Sequence, residues 1–246
     1  MMTHTFPSLF ATYRRASLLW AKTFLDLLPF LLLWMLSQVG LEIFLPQSDQ
    51  ISTKFFMILF LDMAITALFF SVILNGLYQQ YSTQSFDFMM TLKAGFKRFM
   101  PLYIAYTLVS LPLLVVLLVF GFLIHFGKLV PMTWVMSILS MQHVIIASAA
   151  LLSLGLAVIF FTAGVFIVIF NNRTLSALKH SYQLVKKYWM DTLLVILLFG
   201  IIAAFATFLL AELNIPYAKA LITLLLSSFY PALMIIHYEN LVTYSQ

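Results

Sequence analysis

Cysteine is absent from the 246-residue sequence and charge is scarce, with only 9% of positions Asp, Glu, Lys or Arg. Without cysteine there is no disulfide framework, no thiolate metal site and no cysteine nucleophile. A soluble globular domain carries roughly 25% charged residues, so the shortage of charge removes the surface such a domain needs. Disorder is excluded on the same ground, because too few polar groups remain to keep the chain solvated. Local signatures of chemistry are missing as well. There is no G-x-S-x-G elbow, no phosphate-binding G-x-x-x-x-G-K-[ST] or G-x-G-x-x-G loop, and no H-E-x-x-H. His125, His143, His180 and His237 include no pair at i,i+4 spacing, so a helical zinc site lacks support. The sequence predicts no catalytic residue, no metal site and no cofactor.

What is present is apolar. Hydrophobic residues make up 63% of the chain, aromatics 16%, and the mean hydropathy is +1.06. They fall in blocks of about 20 or more, the length that crosses ~30 Å of hydrocarbon at 1.5 Å per residue. Six spans are predicted, at Phe24–Phe44, Phe55–Leu77, Pro101–Ile124, His143–Phe170, Trp189–Ala211 and Tyr217–His237. The runs are continuous rather than alternating, which argues against a barrel. The predicted fold is all-α, one polytopic membrane domain over residues 1–246 with six transmembrane helices. The first twenty residues lack the form of a signal peptide, since Arg14 and Arg15 come late and no small-residue cleavage site follows.

Basic residues set the orientation. Arg14, Arg15 and Lys22 precede the first span, Lys93, Lys97 and Arg98 lie between spans two and three, and Arg173, Lys179, Lys186 and Lys187 lie between four and five. The other side receives Lys54, Lys128 and Lys219. Short loops rich in Lys and Arg stay in the cytoplasm, so both termini are predicted there, with Trp134 on the outer side. The net charge of +5 is therefore read as attraction to anionic lipid headgroups, and no nucleic-acid partner is predicted.

The basic segments also repeat. Stretches beginning at Ser8, Ser85 and Thr174 are each mixed polar and apolar, end in basic and aromatic residues, and lead directly into a span. This predicts three pseudo-repeats, near 8–77, 85–170 and 174–241, each an interfacial amphipathic helix followed by a transmembrane hairpin. In the third, Leu175, Leu178, Tyr182, Val185 and Trp189 form one stripe, predicted to face the acyl chains. In the second, Phe88, Leu92, Phe96 and Phe99 do the same.

This order of parts resembles the YciC family of bacterial inner-membrane proteins. The most specific stretch is VIFNNRTLSALKHSYQLVKKYWMDTLLV, with Ala177, Leu178, Ser181, Leu184, Lys186, Lys187, Tyr188 and Trp189 matching the pattern. The resemblance implies a multi-pass inner-membrane protein and carries no catalytic residues.

Two functions follow from the residues. The first is a non-enzymatic membrane protein whose surface, built on Arg14, Arg15, Lys93, Lys97, Arg98, Lys179, Lys186 and Lys187, engages anionic lipid, a membrane-protein partner or a second copy. The second is a small-solute or ion transporter using Asp62, a carboxylate inside span two whose insertion is costly and which is expected near His143. The pairs Lys22–Asp26 and Lys187–Asp191 share a helix face at i,i+4 spacing and are predicted to pair. The small-residue stripes Ala149/Ser153/Ala157 and Ala203/Thr207/Ala211 are predicted to mark close helix packing.

Overall fold

A chain dissolved in hydrocarbon must satisfy its backbone internally, and here helices do it; the described residues contain no strand. The computed structural model describes residues 8–44, 53–126, 141–213 and 218–245. Helix α1 runs Leu9–Phe44, α2 Thr53–Thr83, α3 Phe88–Phe126 and α4 Gln142–Ile159. They are followed by α5 at Ala163–Val168, α6 at Thr174–Val185, α7 at Trp189–Leu213 and α8 at Ala218–Ser245. Five helical stretches are long and apolar enough to cross a membrane: Leu9–Leu41, Phe55–Thr83, Phe88–Phe120, Gln142–Ile159 and Thr174–Leu209. The chain has the make-up of a multi-pass membrane protein. Lys128 and Trp134 lie outside the described residues.

The helices depart from the predicted spans in two places. First, α1 and α3 run unbroken through segments predicted as separate surface helices. No glycine or proline separates Ser8 from Asp26, so nothing in the chain ends the helix there. Pro101, predicted to open a span, sits inside α3, where it removes a single donor. The Thr174 hydroxyl donates to the Pro101 carbonyl at 3.0 Å and ties α6 to this point. Between α6 and α7, in contrast, a short 3₁₀ turn, Lys186–Tyr188, separates the predicted surface helix from the predicted span.

Second, the predicted span His143–Phe170 is split. Helix α4 stops at Ile159, residues 160–162 turn, and α5 continues as a short buried segment. The carbonyl released at Ile159 accepts the Ser181 hydroxyl of α6 at 3.0 Å, and Thr162 Oγ1 lies 3.0 Å from the same hydroxyl. A break in apolar surroundings is stable only when its freed groups are answered in this way. Asn171, at φ 62°, then ends α5, and the Asn172 N–H donates to the Phe166 carbonyl at 3.0 Å.

Helices α2 and α3 form a tight hairpin. The Asp87 carboxylate caps α3 by accepting the Met90 N–H at 2.9 Å, while Gln79 Oε1 accepts the Asp87 N–H and the Thr91 hydroxyl. At the crossing, Ser71 donates to the Gly95 carbonyl at 2.8 Å. A Cβ on Gly95 would lie 2.3 Å from Val72 Cγ2 and 2.9 Å from Val72 Cα. The backbones touch, and only glycine fits. Helix α1 packs on α2 and α8, and the fully buried side chains Leu27, Phe30, Ile73, Leu74, Phe161 and Leu233 form the common core.

Gly95→Ala is expected to destabilise the protein by about 1–3 kcal/mol, because the Val72 backbone has to move. Gly40→Ala, with nothing within 4 Å of the new Cβ, is expected to be neutral or stabilising by up to about 1 kcal/mol. Thermal unfolding of the two variants in detergent checks the contrast.

Candidate functional site

Helix α6 has two faces. Ala177, Leu178, Ser181 and Val185 are buried against the protein. The stripe predicted to meet acyl chains is therefore divided, with Leu178 and Val185 turned inward. The small side chains of Ala177 and Ser181 allow the approach, and the Ser181 hydrogen bonds fix it. Leu175, Tyr182 and Trp189 remain exposed, at 75%, 48% and 38%. Together with exposed Lys179 and Lys186 they recur every three or four residues, giving an outward face that alternates apolar and cationic groups. Lys186 Nζ lies 5.9 Å from the Tyr182 ring centroid, and Lys187 Nζ 5.2 Å from that of Tyr188. Beside this face is an open groove of about 640 Å³ lined by Phe166, Phe170, His180, Gln183 and Lys187. Asn172 Nδ2 lies 3.1 Å from His180 Nδ1 at its edge.

Of the other basic candidates, Arg14, Lys93 and Lys97 are exposed and Arg98 is half-buried. Arg15 is committed elsewhere: it forms an ion pair with Glu239 and donates from Nη1 to Asn240 Oδ1 at 3.1 Å. Asn240 in turn donates from Nδ2 to the Thr12 hydroxyl at 3.0 Å, and the Tyr81 hydroxyl also bonds to Glu239. An ion pair this exposed contributes little by itself, about 0–1 kcal/mol. The buried Asn240–Thr12 bond, together with Trp20 Nε1 donating to Ser228 Oγ at 3.0 Å, joins the first helix to the last. Nearby, burial and the Tyr78 phenol together raise the pKa of Tyr238. The predicted Lys22–Asp26 and Lys187–Asp191 pairs do not form; Arg15–Glu239 is the only ion pair among the described residues. Exposed i,i+4 pairs offer only a few tenths of a kcal/mol, and Lys187 lies over Tyr188 instead.

Asp62 and His143 are not brought together as a site. Asp62 Oδ1 accepts a hydrogen bond from Gln38 Nε2 at 2.7 Å, across α1 and α2, while His143 is exposed at the start of α4. The carboxylate is a helix–helix tie. The pairing left a mark in the sequence: Gln38 and Asp62 each interrupt an apolar run on either side of one connector. Among the described residues no group of three or more His, Asp or Glu side chains could hold a metal ion.

A second feature, not foreseen from the sequence, is another largely open pocket. A cavity of about 460 Å³ sits between α7 and helices α1, α2, α3 and α8, with Trp34, Phe70, Tyr106, Phe199 and Tyr230 in its wall. Helix α7 is tied to the rest near its start. The Tyr188 hydroxyl donates to the Tyr244 carbonyl, Thr192 bonds His237 at 2.9 Å, and the Tyr13 hydroxyl donates to the Val195 carbonyl at 2.8 Å. Beyond Val195 the described residues show no further polar bond from α7 to a neighbouring helix. Ala203 and Thr207, predicted as a packing stripe, instead line the cavity, whereas Ala149 and Ser153 of α4 are buried as predicted.

No family model, curated protein or solved structure matches the chain.

Asp62→Asn keeps an acceptor for Gln38 and is expected to leave stability within about 0.5 kcal/mol of the parent. Asp62→Leu strands the Gln38 amide in apolar surroundings and is expected to cost about 1 kcal/mol or more. Unfolding temperatures in detergent separate the two. Equal damage from both would give the charge itself a role.

Proposed function

We propose that the chain is a YciC-like bacterial inner-membrane protein with no catalytic role, whose basic cytoplasmic face engages anionic lipid headgroups. In this reading α8 is the sixth span, both termini are cytoplasmic, and the three units comprise α1–α2, α3–α5 and α6–α8. The α6 face carries the proposal. Leu175, Tyr182 and Trp189 supply apolar and amphipathic contact at the level where headgroups meet acyl chains. Lys179 and Lys186 stand between them, where each cation near an anionic surface contributes about 1 kcal/mol. The adjoining groove, with Lys187 and Gln183 above an aromatic floor of Phe166 and Phe170, fits an amphipathic occupant of the same kind.

The transport reading has less support. Asp62 has its partner in Gln38, and His143 lies exposed on another helix. A membrane-protein partner or a second copy would have to present carboxylates to the same cations, and competes with lipid for them.

Replacing Lys179, Lys186 and Lys187 together by Gln is expected to weaken retention of phosphatidylglycerol or cardiolipin about 10–100-fold at low salt, with insertion intact. Retention is read by mass spectrometry of lipid carried through purification. Unchanged retention overturns the lipid assignment. Orientation has its own test, because the parent has no cysteine. A Ser176→Cys variant, at an exposed position of α6, is expected to react only with a thiol reagent delivered to the cytoplasm. Labelling from the periplasm would reverse the topology.

A further inference from the structure

We propose that the groove beside α6 is a site for one anionic phospholipid whose headgroup is a phosphodiester bearing an uncharged polyol, as in phosphatidylglycerol. The inference rests on the lipid reading above and narrows it to one headgroup at one place. His180, Gln183 and Lys187 recur at spacings of three and four, so they share a face of α6. That face is turned about a quarter of the helix circumference from the one carrying Lys179, Tyr182 and Lys186. All three side chains are exposed and line the groove. Gln183 and the Lys187 ammonium make no protein hydrogen bond among the described residues.

The donor set decides the charge of the occupant. Asn172 Nδ2 lies 3.1 Å from His180 Nδ1, and an amide nitrogen only donates. His180 Nδ1 therefore accepts, the ring proton sits on Nε2, and Nε2 is left to donate. No carboxylate lines the groove among the described residues. One full cation with several N–H donors complements a phosphate, whose oxygens only accept. The Gln183 amide and the Ser245 hydroxyl both donate and accept, as the hydroxyls of a polyol do, whereas a headgroup ammonium would be repelled by Lys187.

The floor and the height favour a lipid over a soluble anion. Phe166 and Phe170 are held by Tyr238, with ring centroids 5.5 and 5.6 Å away, and Phe170 is 45% exposed. This surface suits a glycerol backbone and the stems of acyl chains. Lys187 stands two residues before Trp189, where α7 begins, so in the proposed orientation its ammonium lies at headgroup height. A groove of about 640 Å³ takes a whole headgroup, and its open side lets the chains leave.

The test uses the full chain, stripped of lipid in detergent and read by native mass spectrometry. Phosphatidylglycerol is offered against phosphatidylserine, which has the same net charge, and against soluble glycerol phosphate. One phosphatidylglycerol per chain is expected to be held about 5–10-fold more tightly than phosphatidylserine, with no displacement by glycerol phosphate. Lys187→Gln is expected to weaken that lipid about 5–10-fold. His180→Asn puts its amide at the Nδ1 position and is expected to weaken it about 3–5-fold, while His180→Gln, with a nitrogen near the Nε2 position, restores most of the loss. The proposal is overturned if phosphatidylglycerol is held no better than phosphatidylserine, or if Lys187→Gln and His180→Asn hold it as the parent does. Displacement by glycerol phosphate also overturns it and makes the groove a site for a soluble anion. Total lipid retained by the triple lysine variant reports on the lipid reading separately. Lowered total retention with unaffected groove variants sinks this site alone; unchanged total retention sinks the reading beneath it.

Discussion

In a bilayer an apolar side chain gains little by leaving lipid for another helix, so the points where backbones touch or polar groups bond decide how a bundle closes. In this chain most of those points lie toward the basic end, Gln38–Asp62 being the exception. Thr12, Arg15, Glu239 and Asn240 join the first helix to the last. Ser71 and Gly95 lock α2 on α3, and Ser181 answers the broken backbone after α4. Thr192–His237 and Tyr13–Val195 hold the start of α7. Interhelical hydrogen bonds in membranes average about 0.6 kcal/mol each, so it is their number at one level that fixes the arrangement.

The same distribution accounts for the two surfaces. Where the ties are dense, α6 is pinned through Ala177 and Ser181, and its outward side chains are held as a fixed pattern of aromatics and lysines. A headgroup bound at such a face would cost less rotamer and backbone freedom than at a mobile one. Where the ties run out, beyond Val195, α7 stands off from α1, α2 and α3, and the space between them is the cavity. Rigidity on one side and an opening on the other have one origin.

Composition and block length made the membrane class and the helical fold legible, since both are set by hydrocarbon thickness. The long-range ties were not legible. Arg15 and Asn240 stand 225 residues apart, and nothing local to either names the other. The split after Ile159 was hidden because the surrounding residues are almost uniformly apolar, so periodicity carries no trace of a turn whose cause, Ser181, lies in another helix. The α6 stripe shows a different limit. Amphipathic spacing located the correct helix, but an apolar side chain at an interface serves lipid or protein equally well, and Leu178 and Val185 went to the protein.

Unmet polar groups weigh differently at the two levels of the bundle. Asn75 and Gln79 each keep an unpaired amide nitrogen, and Gln79 lies within a turn of the α2–α3 connection, where a small backbone movement would open it to a partner. Trp34 and Tyr106 stand well inside their helices, far from any connection, and their Nε1 and Oη atoms are equally without a partner among the described residues. Tyr106→Phe would preserve the ring and delete the penalty, about 1–3 kcal/mol for a buried unmatched group, whereas Trp34→Phe would also leave a gap where the larger indole packed. A fold that retains both buried donors is therefore less stable than one in which each had a partner.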